Sequence, residues 1–310
     1  TTIGGVRANH IARWNGSEWF PLGSGTNEPV LALAVHANEL IAGGFFTSAG
    51  GGNANRIARW NGSSWLPLGG GMNDYVLALA SYNGALYAGG AFTTAGGVSS
   101  RAISRWNGSG WSRLGSGISA SRVPALAVHN EELFISHYSN GPSSIERWNG
   151  TVWGNSLGGM NGEVHSLHAF NGLLVAGGTF TQIGGILPAN RIAAWNGSAW
   201  SALSGGVNSP VFALYSMDGE LVVGGEFTVA GEAPADRIAR WNGATWSAAG
   251  LGMDSTVRAL SQFEGELVAA GSFSSAGGVA SPYIAPFGPQ YSTTVTIIGV
   301  EPSPSIAGEP

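Results

Sequence analysis

The sequence contains no cysteine and no lysine. Without cysteine the chain forms no disulfide, and it offers neither a thiolate ligand for a metal nor a cysteine nucleophile. All side-chain positive charge outside histidine lies on 13 arginines spread along the chain, and the formal net charge is −5. Because nucleic-acid-binding proteins present clustered basic side chains, we expect no nucleic-acid partner.

Long apolar runs are also missing. No run approaches the about 20 residues that span a bilayer, so we expect no membrane insertion. The opening residues, Thr1 to Gly5, match the middle of the repeat described below, as at Thr93 to Gly97. We therefore expect this sequence to be a piece of a longer polypeptide.

Glycine and tryptophan are abundant, with 51 and 12 residues, and only 10% of the residues are charged. This composition is typical of a turn-rich globular chain with a large core, since disordered chains are rich in charge and poor in aromatics. The tryptophans belong to a repeat of about 46 residues, read most clearly from Arg56 to Trp65. The first tryptophan of the repeat recurs at Trp14, Trp60, Trp106, Trp148, Trp195 and Trp241.

A second motif lies between the tryptophan segments and holds two apolar strand candidates, read most clearly from Val76 to Thr93. Its copies begin at Val30, Val76, Val123, Val164, Val211 and Val257. Turn signals such as Asn83-Gly84 suit a type I′ hairpin, whose central residues need positive φ. In the tryptophan segment, Gly62-Ser63 suits a type II′ turn that sets Trp60 opposite Trp65. Each period therefore predicts four antiparallel strands and no helix.

The repeats predict an all-β fold, a six-bladed β-propeller of four-stranded antiparallel blades. We expect residues 1–289 to form this propeller and strands from both termini to close it. The chain starts with a third and fourth strand, Ile11 to Leu22, and its regular part ends with a first and second strand, Val257 to Phe273. Joining them would complete the sixth blade and hide two sheet edges. A decayed seventh copy ends at Phe287.

The layout of the repeat resembles a known family. Leu-x-x-Gly-Gly at the end of the second strand, an aromatic third strand and a tryptophan opening the fourth resemble the kelch repeat of galactose-oxidase-type propellers, over about Thr1 to Pro286. The spacing from Trp60 to Trp65 is shorter than in kelch repeats. The segment Arg56 to Gly62 is also similar to repeats of large secreted bacterial proteins. The resemblance implies the fold and says little about function.

Residues 290–310 do not follow the pattern of the repeat. Tyr291 to Ile298 alternates like a strand, and Glu301 to Pro310 resembles the opening of a bacterial immunoglobulin-like domain. We expect a linker and the first strand of such a domain, truncated at Pro310. This resemblance implies that the propeller is one module of a multidomain exported protein.

Two repeated features have both a structural and a functional interpretation. The tryptophan pairs predict aromatic packing of one blade on the next, although exposed tryptophans also bind sugars. Asparagines in Asn-x-Ser/Thr form are turn residues here, or glycosylation acceptors on a secretory eukaryotic chain. They are Asn15, Asn61, Asn107, Asn149 and Asn196. Asn242-Gly243-Ala244 keeps the turn without the acceptor pattern, which favours the turn interpretation.

Candidate ligand-binding residues lie where the third and fourth repeats depart from the pattern. The third repeat replaces the glycine-rich loop by Ser136 to Gly141, and the fourth carries histidines in its first strand. A functional interpretation places five side chains of adjacent blades in one ligand-binding pocket: Arg122, His137, Tyr138, His165 and His168. Drift of a degenerate repeat is the alternative. His165 and His168 lie three residues apart on a strand, so we expect them to face opposite sides and to share no metal.

A second candidate site repeats around the fold. The loop before each first strand carries a polar residue, and together these residues predict a polar ring at one channel mouth. They are Asn27, Asn73, Asn161, Asn208 and Asp254, with Ser119 in the third place. Capping of the turn is one interpretation, and a ring that holds water, a cation or a ligand hydroxyl is the other.

We expect a non-enzymatic, exported binding or structural module of a larger cell-surface or secreted protein, located outside the cell. Its partner would be a protein or a glycan, with assembly through flanking domains and with no cofactor and no metal. Two alternatives stay open: a carbohydrate-binding lectin-type propeller, and a hydrolase or lyase near the third blade with His137 as base. No catalytic residue is assigned, because the sequence has no Gly-x-Ser-x-Gly elbow and no phosphate loop followed by a helix.

Overall fold

The structure is a computed structural model that describes residues 2–3, 6–15, 18–139 and 141–287. The interval 290–310, for which the sequence predicts a linker and an immunoglobulin-like strand, lies outside the described residues. Across the described part of the chain, no helix is long and apolar enough to cross a bilayer. The strands divide into two compact units, one of described residues up to Gly117 and one from Ile118 onward.

The first unit contains two four-stranded antiparallel sheets, ordered β10-β9-β6-β5 and β11-β12-β15-β16, and a separate hairpin, β3-β4. Short hairpins, β1-β2, β7-β8 and β13-β14, accompany them. The strands are β1 (Thr2–Ile3), β2 (Val6–Arg7), β3 (Ala12–Trp14), β4 (Trp19–Pro21), β5 (Val30–His36), β6 (Glu39–Gly44), β7 (Ser48–Ala49), β8 (Gly52–Asn53), β9 (Ile57–Trp60), β10 (Trp65–Pro67), β11 (Val76–Tyr82), β12 (Ala85–Gly90), β13 (Thr94–Ala95), β14 (Val98–Ser99), β15 (Ile103–Trp106) and β16 (Trp111–Ser112).

The second unit contains the remaining sheets, ordered β17-β18-β19-β20-β23-β24, β21-β22-β25-β26, β27-β28-β31-β32 and β33-β34-β37, with short hairpins β29-β30 and β35-β36. The strands are β17 (Arg122–His129), β18 (Glu132–Tyr138), β19 (Ser143–Trp148), β20 (Gly159–Met160), β21 (Val164–Phe170), β22 (Leu173–Gly178), β23 (Gln182–Ile183), β24 (Leu187–Pro188), β25 (Ile192–Trp195), β26 (Trp200–Ala202), β27 (Val211–Met217), β28 (Glu220–Gly225), β29 (Val229–Ala230), β30 (Ala233–Pro234), β31 (Ile238–Trp241), β32 (Trp246–Ala248), β33 (Val257–Phe263), β34 (Glu266–Gly271), β35 (Ser275–Ala276), β36 (Val279–Ala280) and β37 (Ile284–Phe287).

The fold class is the predicted one: an all-β, six-bladed β-propeller with four-stranded antiparallel sheets. One prediction is wrong: the third strand of the sixth sheet does not come from the N-terminal segment Ile11 to Leu22. In the sixth sheet this place is taken by β37, the decayed seventh copy, whose Phe287 pairs with Leu267, while β3 and β4 form a two-stranded sheet. β37 follows β34 closely in the chain, so pairing with it closes a short loop at a small entropic cost.

Both predicted hairpin turns are present. Asn83 and Gly84 have φ values of 46° and 68°, the positive values that the I′ turn requires. Trp60 pairs directly with Trp65 across β9 and β10. The turn residues therefore set the register that brings each pair of tryptophans together.

The Gly-Gly pair that ends the second strand is required by two close approaches. A Cβ on the second glycine, Gly90, would overlap the backbone carbonyl oxygen of Tyr75, just before the first strand of the same sheet. A Cβ on the first glycine, Gly43, would overlap the side chain of Val76 in the next sheet. The pair therefore lets the hairpin close tightly and lets neighbouring sheets pack face to face.

The core lies between successive sheets within each unit. In the first unit Ile41 and Ile57 of one sheet pack with Leu86 of the next. The repeat also places a fully buried phenylalanine two residues after the glycine that ends the second strand. This phenylalanine is present in five sheets, as Phe46, Phe92, Phe180, Phe227 and Phe273. Each such side chain stabilises the fold by about 1.5–3 kcal/mol through removal of apolar surface from water.

Candidate functional site

The repeated tryptophans act in packing between sheets. The ring centroids of each pair lie 5.0 to 5.6 Å apart. In four pairs the second indole also donates from Nε1 to the backbone carbonyl of a leucine 43 residues earlier. These bonds run from Trp65 to Leu22, Trp111 to Leu68, Trp200 to Leu157 and Trp246 to Leu203. The indoles thus join successive sheets, as the packing interpretation predicts.

The asparagines of the tryptophan segment shape the turn. Oδ1 of Asn61 accepts hydrogen bonds from the backbone N–H groups of Ser63 and Ser64, at 3.0 and 2.9 Å. The same pair of bonds is present at Asn107, Asn149, Asn196 and Asn242. Because Asn242 makes these bonds without the Asn-x-Ser/Thr glycosylation pattern, the arrangement belongs to the turn.

The predicted polar ring residues each hold the loop that follows the second strand of their own sheet. Oδ1 of Asn73 accepts from the backbone N–H groups of Thr93 and Thr94, both at 2.9 Å, and Nδ2 donates to Oγ1 of Thr93 at 2.9 Å. Equivalent clamps are made by Asn27, Asn161 and Asn208. In the third place the backbone carbonyl of Ser119 accepts from Oγ of Ser139. The three hydrogen bonds that each of these asparagines makes, which we call the clamp, therefore stay within its own sheet and loops.

Asp254 makes the clamp with a carboxylate instead of an amide. Oδ1 accepts from the backbone N–H groups of Ser274 and Ser275 at 2.8 and 3.0 Å, and Oδ2 accepts from the Ser274 hydroxyl at 2.5 Å. The side-chain hydrogen bond from Ser274, followed by the backbone bond from Ser275, lowers the pKa of Asp254 to about 2. The carboxylate is therefore ionised throughout the neutral range.

The second unit brings several non-repeated side chains together where its first strands begin. Arg122 opens β17, pairs with the carboxylate of Glu163, and places its Cζ 5.1 Å from the ring centroid of Tyr138. His165 follows on β21, with Nδ1 3.9 Å from Oε2 of Glu163. The contacts then continue to two further sheets. We call this set the charged row: Tyr138, Arg122, Glu163, His165, Phe212 and Arg258.

Phe212 connects the two ends of the charged row. Its ring centroid lies 5.1 Å from that of His165 on the neighbouring strand β21, and 5.1 Å from Cζ of Arg258 on the other neighbour, β33. Arg258 is exposed, and its Nε lies 3.5 Å from Oγ of Ser272. The row therefore draws on four successive sheets, and an arginine stands near each end.

His165 is the titratable centre of the charged row. Burial lowers its pKa, and the charges of Arg122 and Arg258 lower it further. Glu163 and Glu226 act in the opposite direction without cancelling the effect. The imidazole is consequently neutral at neutral pH, and its side chain keeps 23% of its surface exposed. It can accept or donate one hydrogen bond to a ligand in that state.

His137 stands apart from the charged row. It occupies the place of the second glycine of the Gly-Gly pair, and its Nε2 lies 3.1 Å from Oε1 of Glu146 on β19. Glu146 replaces a small residue of the repeat, such as Ala58 in the first sheet. Nδ1 of His137 is buried and has no hydrogen-bond partner among the described residues. The two departures from the repeat thus form one pair within the third sheet.

His168 contacts the next sheet at a different level of the strand. Its Nε2 lies 2.8 Å from Oγ of Ser216, and its ring centroid is 6.1 Å from that of Tyr215. Burial lowers its pKa. The structure therefore brings Arg122, Tyr138 and His165 together, whereas His137 and His168 each have separate partners.

Strand β21 has an irregularity near His165 that simple alternation of His165 and His168 does not take into account. The pairing of β21 with β22 shifts register between Val164 and Ser166, so strict alternation does not apply at His165. Both imidazoles contact residues of β27. Within the residues that the structure describes, no group of three or more histidine, aspartate or glutamate side chains is arranged to hold a metal ion.

Sequence reasoning missed Glu163, Phe212 and Arg258. A comparison of the repeats at two positions could have found them. The residue before the opening valine is Pro29 and Tyr75 in the first two repeats, whereas it is Glu163 in the fourth. The residue after that valine is leucine in the first two repeats, whereas it is His165, Phe212 and Arg258 in the last three. Departures from the repeat at these positions, charged at Glu163 and Arg258 and aromatic at Phe212, were the available signal.

A family model and one solved structure support the fold. A family model described as "Domain of unknown function (DUF5122) beta-propeller" matches residues 217–243. The crystal structure of the computationally designed Ika8 protein is similar over 84% of this chain and 71% of its own, with a TM-score of 0.55 and 19% identity. That of the computationally designed Ika4 protein covers 57% of this chain and 99% of its own, with a TM-score of 0.39 and 17% identity. No curated protein matches the sequence.

The chain is a β-propeller. At 19% identity, the similarity to the Ika8 protein concerns the fold alone. The matched segment, residues 217–243, runs from the end of β27 through β31 and includes Trp241, so it covers part of one repeat and none of the charged row. Function must therefore be argued from the side chains themselves.

Proposed function

We propose that this chain is a non-enzymatic binding module of an exported protein, and that the charged row is the surface with which it binds. The partner is a protein or a glycan outside the cell. The repeated tryptophans and asparagines have structural roles in packing, turns and loop clamps, so they are poor candidates for ligand contacts. The charged row differs from the repeat and places two arginines, a glutamate and a histidine beside two aromatic rings.

One observation carries the proposal: six non-repeated side chains from four successive sheets touch one another in a continuous series. In the first unit the positions of His165 and Arg258 are held by Leu31 and Leu77. A scaffold needs no such departure, because the leucines satisfy the same strands. Charged and aromatic side chains that converge at one place are the usual components of a recognition site.

The test compares the wild-type chain with the double variant His165→Leu and Arg258→Leu, which restores the residues of the first two repeats. Both proteins are applied to a glycan array and to immobilised extracellular proteins from the source organism. We expect the wild-type chain to bind and the double variant to lose that binding. Arg101→Gln removes an exposed arginine outside the row and serves as the matched control. Binding that the double variant retains in full, or no binding by the wild-type chain, would refute the proposal.

The pairing of His137 with Glu146 favours one second candidate, a hydrolase or lyase in the third sheet. A histidine hydrogen-bonded to a carboxylate is the usual form of an oriented general base. The candidate predicts hydrolysis or elimination on a panel of ester, phosphoester and glycoside substrates, with loss of the activity in both His137→Asn and Glu146→Gln. An inactive wild-type chain, or activity that survives both substitutions, would exclude it.

The lectin alternative has lost part of its basis, because the tryptophans that motivated it take part in contacts between strands and sheets. The glycan array described above tests it directly. Binding to neutral sugars that is unchanged by His165→Leu and Arg258→Leu would favour a lectin with sites elsewhere on the chain.

A further inference from the structure

We infer that Arg258 and His165, with Phe212 between them, form a binding site for a carboxylate group. The inference rests on the proposed function of the charged row and specifies the chemistry of its ligand. The carboxylate belongs to a small molecule with one negative charge, such as a uronic acid or an N-acylated amino acid with a neutral side chain. Each of the three residues contributes a distinct property to this site.

Arg258 supplies an available positive charge. Its only hydrogen bond among the described residues is the 3.5 Å contact from Nε to Oγ of Ser272, so both terminal nitrogens lack an acceptor there. The side chain is exposed. Arg122, at the other end of the row, is already paired with Glu163. A guanidinium with free terminal N–H groups binds a carboxylate through two parallel hydrogen bonds.

Phe212 holds the guanidinium in place. The contact of 5.1 Å between Cζ of Arg258 and the ring centroid restricts the long arginine side chain before a ligand arrives. Restriction of this kind lowers the entropic cost of binding. Because the same ring packs against His165 at 5.1 Å, the imidazole and the guanidinium share one aromatic neighbour. The two polar groups flank this ring on the strands to either side of β27, so the inferred ligand bridges them across it.

His165 supplies a second hydrogen-bonding group. Its closest charged partner, Oε2 of Glu163, lies 3.9 Å from Nδ1, which is too long for a hydrogen bond. Neither ring nitrogen has a hydrogen-bond partner among the described residues, although the side chain keeps only 23% of its surface exposed. A partly buried imidazole without a partner gains a bond when a ligand oxygen arrives.

The charge balance favours a ligand with a single negative charge. Arg122 and Glu163 neutralise each other, which leaves Arg258 as the free cation of the row. Glu163 and Glu226 also lie close enough to affect the pKa of His165. These two carboxylates would repel a doubly charged phosphate more than a singly charged carboxylate. We therefore choose a carboxylate over a phosphate.

Acid should strengthen binding. Burial, Arg122 and Arg258 keep His165 neutral at neutral pH, against the opposing effect of Glu163 and Glu226. A bound carboxylate favours the protonated imidazole, so ligand binding raises the pKa of His165 and takes up a proton. The affinity should accordingly increase as the pH falls below the ordinary histidine value of 6.5.

The experiment titrates the whole chain with sodium glucuronate, N-acetylalanine, inorganic phosphate and neutral glucose, and follows the imidazole signals by NMR. We expect both carboxylates to shift the His165 signals and glucose to leave them unchanged. Arg258→Gln should weaken carboxylate binding by roughly tenfold or more, because a charge-assisted pair of hydrogen bonds is lost. Arg258→Lys keeps the charge without the fork and should bind at an intermediate strength. Arg101→Gln is the control with wild-type affinity.

The outcomes separate the two proposals. Binding of glucuronate without binding of N-acetylalanine identifies an acidic sugar as the source of the carboxylate, and the reverse identifies an acylated amino acid. Phosphate binding as strong as carboxylate binding, no carboxylate binding, or an Arg258→Gln variant with unchanged affinity overturns this inference. If a neutral ligand from the array still depends on His165 and Arg258, the proposed function stands while the carboxylate inference fails. The melting temperature of each variant confirms that it is folded.

Discussion

The indole Nε1 of Trp111 donates a hydrogen bond of 3.0 Å to the backbone carbonyl oxygen of Leu68, 43 residues earlier in the chain. Trp111 and Leu68 are buried, with 6% and 4% of their surfaces exposed. The bond joins the second sheet to the end of the first. The same carbonyl also accepts a longer bond of 3.4 Å from the backbone N–H group of Gly71, so the indole is its shorter partner.

Trp111→Phe should reduce the free energy of unfolding by about 1 kcal/mol, because the carbonyl of Leu68 loses its shorter hydrogen bond and keeps only the long one from Gly71. Urea denaturation of both proteins measures this difference. Trp106→Phe is the matched control, since Trp106 is half-buried and lies in the same aromatic pair. Equal losses in the two variants would show that aromatic area matters and the hydrogen bond does not.

Gly178→Ala should destabilise the fourth sheet, because the added Cβ would overlap the backbone carbonyl oxygen of Glu163. We expect a loss of about 1–3 kcal/mol in unfolding free energy, the usual range for overpacking. The same overlap displaces Glu163 and should therefore alter the NMR signals of His165. Gly110→Ala is the control: nothing lies within 4 Å of its Cβ position, and the fourth repeat carries Ala199 there. A Gly178→Ala protein as stable as the control would contradict the close approach.

Asn73→Ala should loosen the loop after the second strand, because the backbone N–H groups of Thr93 and Thr94 lose their acceptor. Hydrogen exchange at these two amides should accelerate, and the free energy of unfolding should fall by about 1 kcal/mol. Asn73→Asp is the matched variant, since Asp254 makes the same clamp in the sixth sheet. It should retain slow exchange, and equally fast exchange in both variants would argue against the clamp.

Asp254 should make the chain sensitive to strong acid. Hydrogen bonds from Ser274 and Ser275 lower its pKa from the ordinary value of 3.8 to about 2. Its contribution to stability is therefore present above 3.8 and is lost as the pH falls through about 2. Asp254→Asn, which matches Asn73 and Asn208, should remove this dependence. Melting temperatures measured across that interval test it, and Asp218→Asn in an exposed turn is the control that should keep the wild-type slope.

His168 should oppose folding in mild acid. Burial lowers its pKa below 6.5, so the unfolded chain binds the proton more tightly than the folded chain does. Its stabilising contribution is complete above 6.5 and is lost as the pH falls through that value towards the lowered one. His168→Gln should flatten this part of the stability curve, measured by urea denaturation at several pH values. Ser216→Ala removes the hydrogen-bond partner but keeps the imidazole, so its curve should retain the slope.

The fold was largely predictable because its signals are local and repeated. Asn83-Gly84 sets a hairpin through backbone conformation, and the segment from Trp60 to Trp65 sets a register through its turn. The third strand of the sixth sheet was not predictable in this way. Ile284–Phe287 is a weak copy of the repeat, yet it pairs with β34 in the register that the full copies use. Proximity in the chain outweighed similarity of sequence.

The candidate site was predictable in part. Arg122, Tyr138 and His165 were found as departures from the repeat, and the structure places them in the charged row. Phe212 and Arg258 follow them across two more sheets, and no local pattern shows which side chains of successive strands meet. His137 was grouped with them, but its partner is Glu146 on the adjacent strand of its own sheet.

The sequence by itself determined the strands, their turns, the number of repeats and the residues that depart from them, because each of these depends on neighbours within a few positions. Only the tertiary structure decided which departures touch. His165 and Arg258 are 93 positions apart in the numbering, and they share Phe212 because β27 lies between β21 and β33. Contacts of that range are set by how sheets stack and by the register shift at His165, and both arise from packing of the whole unit.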